Sequence, residues 1–261
     1  MTQFVYVSVD VAPGLALVID GNSKITAGNG SYFDPAPNAL SLPPVVTCPG
    51  STEICRRSCY VRVLAANAPD VFGAYVQNEM ALYRALQADL LYLTAKSLGD
   101  WISKHCQGGF RWHVSGDVFS VDHALWISQV CYESPNVNHW IYTRSFWAVL
   151  DLLDTANLTV NLSADAENLA EALMCHKQNP RTRICYLTHD GHVPDLPPGS
   201  VIFPDYPCRG REMQQPTDHP WWSMFTQEQK RMVCPADFFG QSAQHRCGPC
   251  KKCLKESKVR P

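Results

Sequence analysis

The second half of the chain alternates between short apolar runs and amphipathic segments. Five apolar runs of strand length lie between residues 110 and 205, and three of them precede longer segments with apolar positions at helical spacing. Strands that alternate with helices predict a parallel sheet built from right-handed crossovers. Together with the apolar run before Cys48, the pattern predicts an α/β fold with six βα-type strands, arranged as a partial (βα)6 TIM-like barrel rather than an open sheet.

The first half of the chain has a different pattern. Two strand-like runs near the N-terminus are separated by Pro13 and Gly14, and a loop rich in Gly, Asn and Pro follows them. Residues 70–106 repeat apolar positions at intervals of three and four, which predicts two helices or one bent helix with a break at Gly99. We therefore expect an N-terminal β extension over 1–40, the partial barrel over 41–206, and a C-terminal cysteine-rich metal-binding segment over 207–261.

Composition excludes several classes of protein. The 46% of hydrophobic and 18% of charged residues are ordinary for a globular protein. A net charge of −2 gives no general electrostatic footprint for nucleic acid, so that partner is possible but unsupported. The sequence contains no run of about 18 apolar residues, so no membrane span is predicted. The N-terminus lacks the basic leader of a signal peptide. Twelve cysteines without such a signal predict metal ligation in a reducing compartment, the cytoplasm, rather than disulfides.

Three of these cysteines form a loop directly after the first barrel strand. Cys48, Cys55 and Cys59 are spaced Cys-x6-Cys-x3-Cys, and the aromatic Tyr60 follows, in a position to shield one face of a metal cluster. Three thiolates leave one metal position open to a small molecule. Because catalytic zinc sites with three protein ligands usually include histidine, the set favours iron–sulfur. The alternative is three buried and inert cysteines.

Four further cysteines lie near the C-terminus. Cys247, Cys250 and Cys253 form a CxxCxxC run, with Cys234 as a remote fourth. This spacing is closer to the ferredoxin arrangement than to the paired CxxC units of zinc fingers, so it favours an iron–sulfur cluster, with zinc as the alternative. Four thiolates predict a closed site that fastens the segment. The cysteines in helix or strand patterns, Cys185 among them, are expected to be small core residues.

Polar residues follow each of the last five strands. The carboxyl ends of parallel strands are where α/β proteins bind ligands. Helix capping accounts for some of these residues but not for Arg144 or His189. A role as a cap, a turn or a surface group stays an equal alternative for several of them. The candidates for catalysis at this edge are Asp117, Arg144, Asp165, His189 and Asp205.

The chain resembles a family of phage-encoded, cysteine-rich proteins called gene product 88. The motifs that carry this resemblance extend from about residue 20 to 253 and are GNSK, TCPG followed by C and CY, WHVSGD, YTRS, and CP followed by CGPCKKC. In architecture the chain is similar to radical-SAM enzymes, which have a six-stranded partial barrel, a three-cysteine loop after the first strand and a glycine-rich turn after the second. Here the turn corresponds to Ser115, Gly116 and Asp117, while the loop spacing differs from the usual CxxxCxxC.

The second resemblance implies an open [4Fe–4S] cluster on the three-cysteine loop that binds S-adenosylmethionine and cleaves it reductively. Asp117 would then bind the ammonium group and Arg144 the carboxylate of that cofactor, with Ser115, Gly116 and Tyr60 also at the cofactor site. Asp165, His189, Asp190 and Asp205 would be left for a small-molecule or nucleotide-like substrate.

The same resemblance implies a reductant such as flavodoxin or ferredoxin, and an auxiliary cluster on the four-cysteine group. Two alternatives stay open. One is a non-catalytic iron–sulfur or zinc module, acting as an electron carrier or a nucleic-acid-binding regulator. The other is an iron–sulfur Lewis-acid lyase or transferase without radical chemistry.

Overall fold

The computed structural model describes five stretches of the chain, with the backbone alone at residues 60 and 63–65. The stretches are residues 6–21, 37–106, 108–205, 220–234 and 252–253. Within them, eight strands form one sheet whose order is the order of the chain. The strands are β1 (Tyr6–Ala12), β2 (Leu15–Asp20), β3 (Ala39–Leu40), β4 (Phe110–Trp112), β5 (His139–Thr143), β6 (Leu158–Ala164), β7 (Arg183–Thr188) and β8 (Val201–Pro204).

The sheet has an antiparallel part and a parallel part. Strands β1, β2 and β3 pair antiparallel, whereas each pair from β3 to β8 is parallel. Six parallel strands in chain order are consistent with either an open or a curved sheet. In the described stretches β1 and β8 are the two ends of the sheet, so closure into a partial barrel stays a prediction.

Helices and short helical turns connect the parallel strands. The described helices are α1 (Glu53–Ser58), α2 (Leu64–Asn67), α3 (Pro69–Gln87), α4 (Leu91–His105), α5 (Val121–Glu133), α6 (Val149–Leu152), α7 (Leu169–Gln178) and α8 (Gln227–Met232), with 3-10 turns at Tyr60–Val63 and Phe146–Ala148. None of them is long and apolar enough to cross a membrane.

The predicted helical region of residues 70–106 is two helices, but its break is not at Gly99. Helix α3 ends at Gln87 and α4 begins at Leu91, with Asp89 between them at a φ of 55°. Gly99 lies inside α4, where an added β-carbon would collide with Glu133 of α5. The glycine therefore serves close packing between two helices, and the predicted position of the break was wrong.

The two faces of the sheet differ in chemistry. One face packs against the helices through large buried side chains, including Phe110, Trp112, Ile141, Val160 and Leu162. Strand residues alternate between faces, so their neighbours form a second face. We call this the polar face after its polar members, which strand pairing and ring contact bring together: Arg111, Tyr142, Asn161, Arg183 and Cys185. The same face also carries the apolar side chains of Trp140, Val201 and Phe203.

The C-terminal part of the chain returns to the end of the sheet. Val233 forms a parallel bridge with Ile202, and the Cys234 N–H donates to the Ile202 carbonyl at 2.8 Å. The Nζ of Lys252 donates to the Val233 carbonyl at 3.0 Å. Most of the predicted segment 207–261, with the predicted ligands Cys247 and Cys250, lies outside the described residues.

Candidate functional site

The three-cysteine loop lies at the carboxyl ends of the parallel strands. Thr52 caps α1, and its hydroxyl accepts from the Cys55 N–H at 3.0 Å, so Cys55 lies in the first turn of that helix. Cys59 follows the last residue of the helix. Cys48, Cys55 and Cys59 are all half-buried free thiols. The loop therefore presents three unlinked sulfurs around a single helical turn.

A buried ion pair fastens this loop to the sheet. Arg144, which follows β5, pairs through Nη1 with Oδ2 of Asp165, which follows β6, at 2.7 Å. The side chains of Arg144 and Asp165 are 8% and 0% exposed. The Thr52 hydroxyl donates to the same Asp165 oxygen at 2.5 Å and accepts from Arg144 at 3.4 Å. One carboxylate thus joins the helix cap of the loop to the ends of two strands.

Gly50 allows the loop to approach the sheet this closely. An added β-carbon at Gly50 would collide with the carbonyl oxygen of Arg144. A larger residue would force either the loop or the end of β5 to move. Sequence analysis could assign Gly50 to a tight loop, but it did not predict the Thr52 contacts or the approach of Gly50 to β5. Both depend on segments about 90 residues apart in the chain coming together.

Asp117 fixes the backbone beneath the loop. Its Oδ1 accepts from the Thr143 hydroxyl at 2.6 Å and the Val118 N–H at 2.7 Å, and its Oδ2 accepts from the Arg144 N–H at 2.8 Å. Its own N–H donates to the Thr47 carbonyl at 3.1 Å. Burial raises the pKa of Asp117 to about 6 against the opposing effect of these hydrogen bonds. The carboxyl group therefore ties together β4, β5 and the chain entering the loop.

The turn after β4 is also tightly packed. Gly116 has a φ of +83°, and an added β-carbon would lie 2.7 Å from the Thr47 hydroxyl, so only glycine fits there without strain. The neighbouring Ser115 is 4% exposed, and its hydroxyl oxygen has no hydrogen-bond partner among the described residues. A buried hydroxyl without a partner is costly, so it marks a position where a bound polar group would be stabilising.

Electrostatics link the thiols to the strand ends. Burial, followed by the charge of Asp117, raises the pKa of Cys48 to about 12. Burial also raises the pKa of Cys55, and the guanidinium of Arg144 acts in the opposite direction. As free thiols these groups are protonated near neutral pH. A bound metal takes them as thiolates and releases their protons.

The structure brings together six of the residues predicted for function: Cys48, Cys55, Cys59, Asp117, Arg144 and Asp165. Asp117 and Arg144, which we expected to bind the two charged groups of a cofactor, have partners within the chain. Both therefore have a positioning role that the sequence did not indicate. Tyr60 begins the 3-10 turn after Cys59, but its side chain lies outside the described part.

The other two catalytic candidates lie further along the sheet. His189 is exposed after β7 and takes no described part in the network of Thr52, Arg144 and Asp165. Asp205 is half-buried after β8, and its N–H donates to the Thr188 carbonyl at 2.7 Å. Asp190, also expected to bind substrate, accepts from the Thr188 hydroxyl and the His192 N–H and closes a turn. For Asp190 this geometry is that of a structural turn.

A second set of thiols lies on the polar face of the sheet. Cys253 hydrogen-bonds to Cys185 of β7, and Cys234 packs in the same cluster. Cys185 is buried in a cluster with Val201 and Cys234, which agrees with the expected small core residue. Its contact with the predicted ligand Cys253 was not expected. The sequence signal was weak: Arg183, two residues earlier in the strand, indicates that this face of β7 is not apolar.

Two tests bear on whether the thiols fit a metal. Among the residues that the structure describes, no three Cys, His, Asp or Glu side chains already stand as ligands of one metal ion. The donor chemistry nevertheless suits soft metals, because both groups offer sulfur rather than the carboxylate oxygens that magnesium and calcium prefer. Sulfur donors at half-buried positions fit an iron–sulfur cluster or zinc.

Comparison with known proteins gives a family but no solved fold. A family model described as "Gene product 88" matches residues 16–256. The chain is 29% identical over 143 residues to the "Gene 88 protein" of Mycobacterium phage L5, and 28% identical over 140 residues to that of Mycobacterium phage D29. Each alignment covers 51% of this chain and respectively 59% and 58% of the relative. No solved structure matches the chain.

Proposed function

This chain belongs to the gene product 88 family, a family of phage proteins, and we propose that it is an iron–sulfur enzyme of the radical-SAM type. The single observation that supports this most is the attachment of the three-thiol loop to the carboxyl ends of the strands. An open metal site can serve catalysis only where a cofactor or substrate binds. The carboxyl ends of the strands are the edge at which α/β proteins bind their ligands.

Three cysteines hold the cluster in this proposal, namely Cys48, Cys55 and Cys59. When bound, a [4Fe–4S] cluster with an open iron supplies the electron that cleaves the sulfonium bond of S-adenosylmethionine. The chain supplies position. The pair of Arg144 and Asp165 holds the loop against the strand ends, and the half-buried setting of the thiols limits the access of water.

The cofactor contacts need one revision of the roles expected from sequence. Asp117 positions the backbone of Arg144, so the ammonium group is received by the Ser115–Asp117 turn, where the Ser115 hydroxyl has no described partner. Arg144 has five N–H donors, and its ion pair engages Nη1. Its remaining donors suit the cofactor carboxylate. Asp165, by contrast, is committed to the loop.

Further parts of the proposal follow from the chemistry. The substrate is a small molecule or a nucleotide-like compound, bound along the strand ends towards His189 and Asp205. A reductant such as flavodoxin or ferredoxin supplies the electron, and the second thiol group holds an auxiliary cluster or zinc. Half-buried free thiols need a reducing compartment, which for a phage protein is the cytoplasm of the host.

A second candidate function is a non-catalytic metal module. It is favoured by one observation, that Asp117 and Arg144 are hydrogen-bonded within the chain rather than left for a ligand. In such a module the loop binds metal without S-adenosylmethionine. A related alternative is an enzyme in which the iron–sulfur cluster acts as a Lewis acid, without radical chemistry.

The test is reductive cleavage of S-adenosylmethionine. Protein purified and reconstituted without oxygen is mixed with the cofactor and a strong reductant, and 5′-deoxyadenosine is measured. The proposal expects product from the wild type, none from Cys55→Ala, and normal product from Cys175→Ala, which removes a thiol of α7 outside both groups. A reconstituted wild type that holds iron on the loop but forms no product rules out the radical mechanism and leaves the metal module.

A further inference from the structure

The position of Cys185 is set by the pairing of the parallel strands. Cys185 stands opposite Ser163 of β6 and Val201 of β8, and it is 3% exposed. Its thiol contacts the Asn161 amide oxygen at 3.8 Å and hydrogen-bonds with Cys253. The side chain therefore points onto the polar face, away from the apolar layer that packs against the helices.

Two separate returns of the chain bring Cys234 and Cys253 to this position. Cys234 is held beside β8 by its hydrogen bond to Ile202. The Lys252 ammonium donates to the carbonyls of Arg231 at 2.5 Å and Val233 at 3.0 Å, which draws Cys253 towards Cys234. The Asn161 amide also donates to the Cys253 carbonyl at 3.4 Å. Three thiols from three distant parts of the chain thus converge on one surface.

Two cations lie near this cluster, while burial and the Cys253 thiol raise the pKa of Cys185. The guanidinium groups of Arg183 and Arg111 both act on Cys253, and Arg183 is 8% exposed. Arg111 lies 5.0 Å from the ring centroid of Tyr142, whose hydroxyl hydrogen-bonds with Cys253. Burying several thiolates is costly unless cations or a metal compensate them.

We infer that Cys185 is a metal ligand, and that it forms a sulfur site on the polar face of the sheet together with Cys234 and Cys253. The ligand class is an iron–sulfur cluster. A single zinc ion is not assigned to these three sulfurs, because no three described side chains already stand as ligands of one metal ion. Cys185 is a sulfur beyond the four C-terminal cysteines indicated by spacing. This inference deepens the proposed function only at its auxiliary site, and it stands or falls independently of S-adenosylmethionine cleavage.

The test uses the full chain with Cys48, Cys55 and Cys59 replaced by alanine, so that only the second site can bind metal. The chain is reconstituted anaerobically with iron and sulfide, and metal per chain is measured. Adding Cys185→Ala should lower metal affinity by at least the roughly 10-fold to 100-fold that loss of a supporting contact costs. The matched control is Cys131→Ala, which removes a fully buried thiol from the helix-packed core.

Two further measurements keep the result clear. Cys185→Ser retains the size of the side chain; as a metal ligand it should shift the sulfur-to-metal absorption bands, which a packing residue would not do. Unfolding transitions of each variant separate loss of metal from loss of fold. Equal metal content and unchanged spectra in the Cys185 variants overturn the inference, and so does a background chain that binds no metal while remaining folded. The cleavage assay on the intact loop tests the proposed function separately.

Discussion

The two thiol groups occupy different surfaces of one sheet. The three-thiol loop lies at the ends of the strands, half-buried, and is held by a network of polar side chains around Asp165. The second group lies on the polar face, where Cys185 and Cys234 are buried and Cys253 is half-buried. The strand edge is where α/β proteins bind small molecules, whereas the second group lies against a face of the sheet. The difference in location is the one that an open site at the loop and a closed second site would need, and that division of roles stays a prediction.

The largest expected effect comes from breaking the ion pair beneath the loop. Asp165→Asn leaves the buried Arg144 guanidinium uncompensated, which should lower the free energy of unfolding by about 3–5 kcal/mol. It should also release the loop, so that iron is lost from the three-thiol site before the second site. Denaturant unfolding and metal analysis measure both effects. Asp154→Asn, at an exposed carboxylate, is the control; an equal loss in both variants contradicts the account.

Asp117 predicts a pH dependence of stability. Its folded pKa is raised from 3.8 to about 6, so the folded state binds the proton more tightly than the unfolded state. The contribution of Asp117 is thus greatest below about pH 4 and is lost as the pH rises through 6, by about 2–3 kcal/mol in total. Asp117→Asn should remove this dependence.

Chemical unfolding of the two chains at each pH isolates the contribution of Asp117. The comparison has to be made between the chains, because burial lowers the pKa values of His113 and His139 to about 3 and gives those residues the opposite sign. Asp122→Asn, at an exposed carboxylate in the first turn of α5, should leave the wild-type dependence unchanged. A difference between wild type and Asp117→Asn that does not change from pH 4 to pH 6 contradicts the burial of this carboxyl group.

A substitution at Gly50 should affect the three-thiol loop and leave the second thiol group unchanged. Gly50→Ala places a β-carbon against the Arg144 carbonyl, and overpacking of this kind costs about 1–3 kcal/mol. We expect weaker iron binding at the loop and an unchanged second site. Gly73→Ala, where the added carbon meets nothing in α3, should leave both sites intact and slightly stabilise the helix. Loss of iron from both sites in Gly50→Ala would mean that the two groups are not independent.

The smallest expected effect concerns the contacts of Lys252, which precedes Cys253 of the second group. Lys252→Met removes two hydrogen bonds to backbone carbonyls, each of which contributes about 1 kcal/mol. Metal should dissociate faster from the second site and at an unchanged rate from the loop. Transfer of metal to a chelator follows both rates, with the exposed Lys104→Met as the control. Faster loss from the loop alone would reverse the assignment of the two surfaces.

The features that follow from strand order could be predicted from the sequence. Because parallel strands share one carboxyl edge, Asp117 and Arg144 could be expected together without any knowledge of their contacts. The sequence did not predict the contacts of Thr52 or Gly50 with the strand ends, because these contacts depend on how closely a loop approaches a distant strand. Cys185 was missed for a related reason: strand pattern gives its face, but only the return of the chain brings Cys253 to it. Gly99 shows the converse, since a helix-breaking residue can serve packing between helices.

The most direct test of an open metal position at the loop is an electron paramagnetic resonance measurement. In a chain with Cys185, Cys234 and Cys253 replaced by alanine, the loop cluster is reduced and its spectrum is recorded with and without S-adenosylmethionine. The account predicts that the signal changes when the cofactor binds at the open iron, and that Cys55→Ala in the same chain has no such signal. A cluster signal that the cofactor leaves unchanged would contradict an open position at this site.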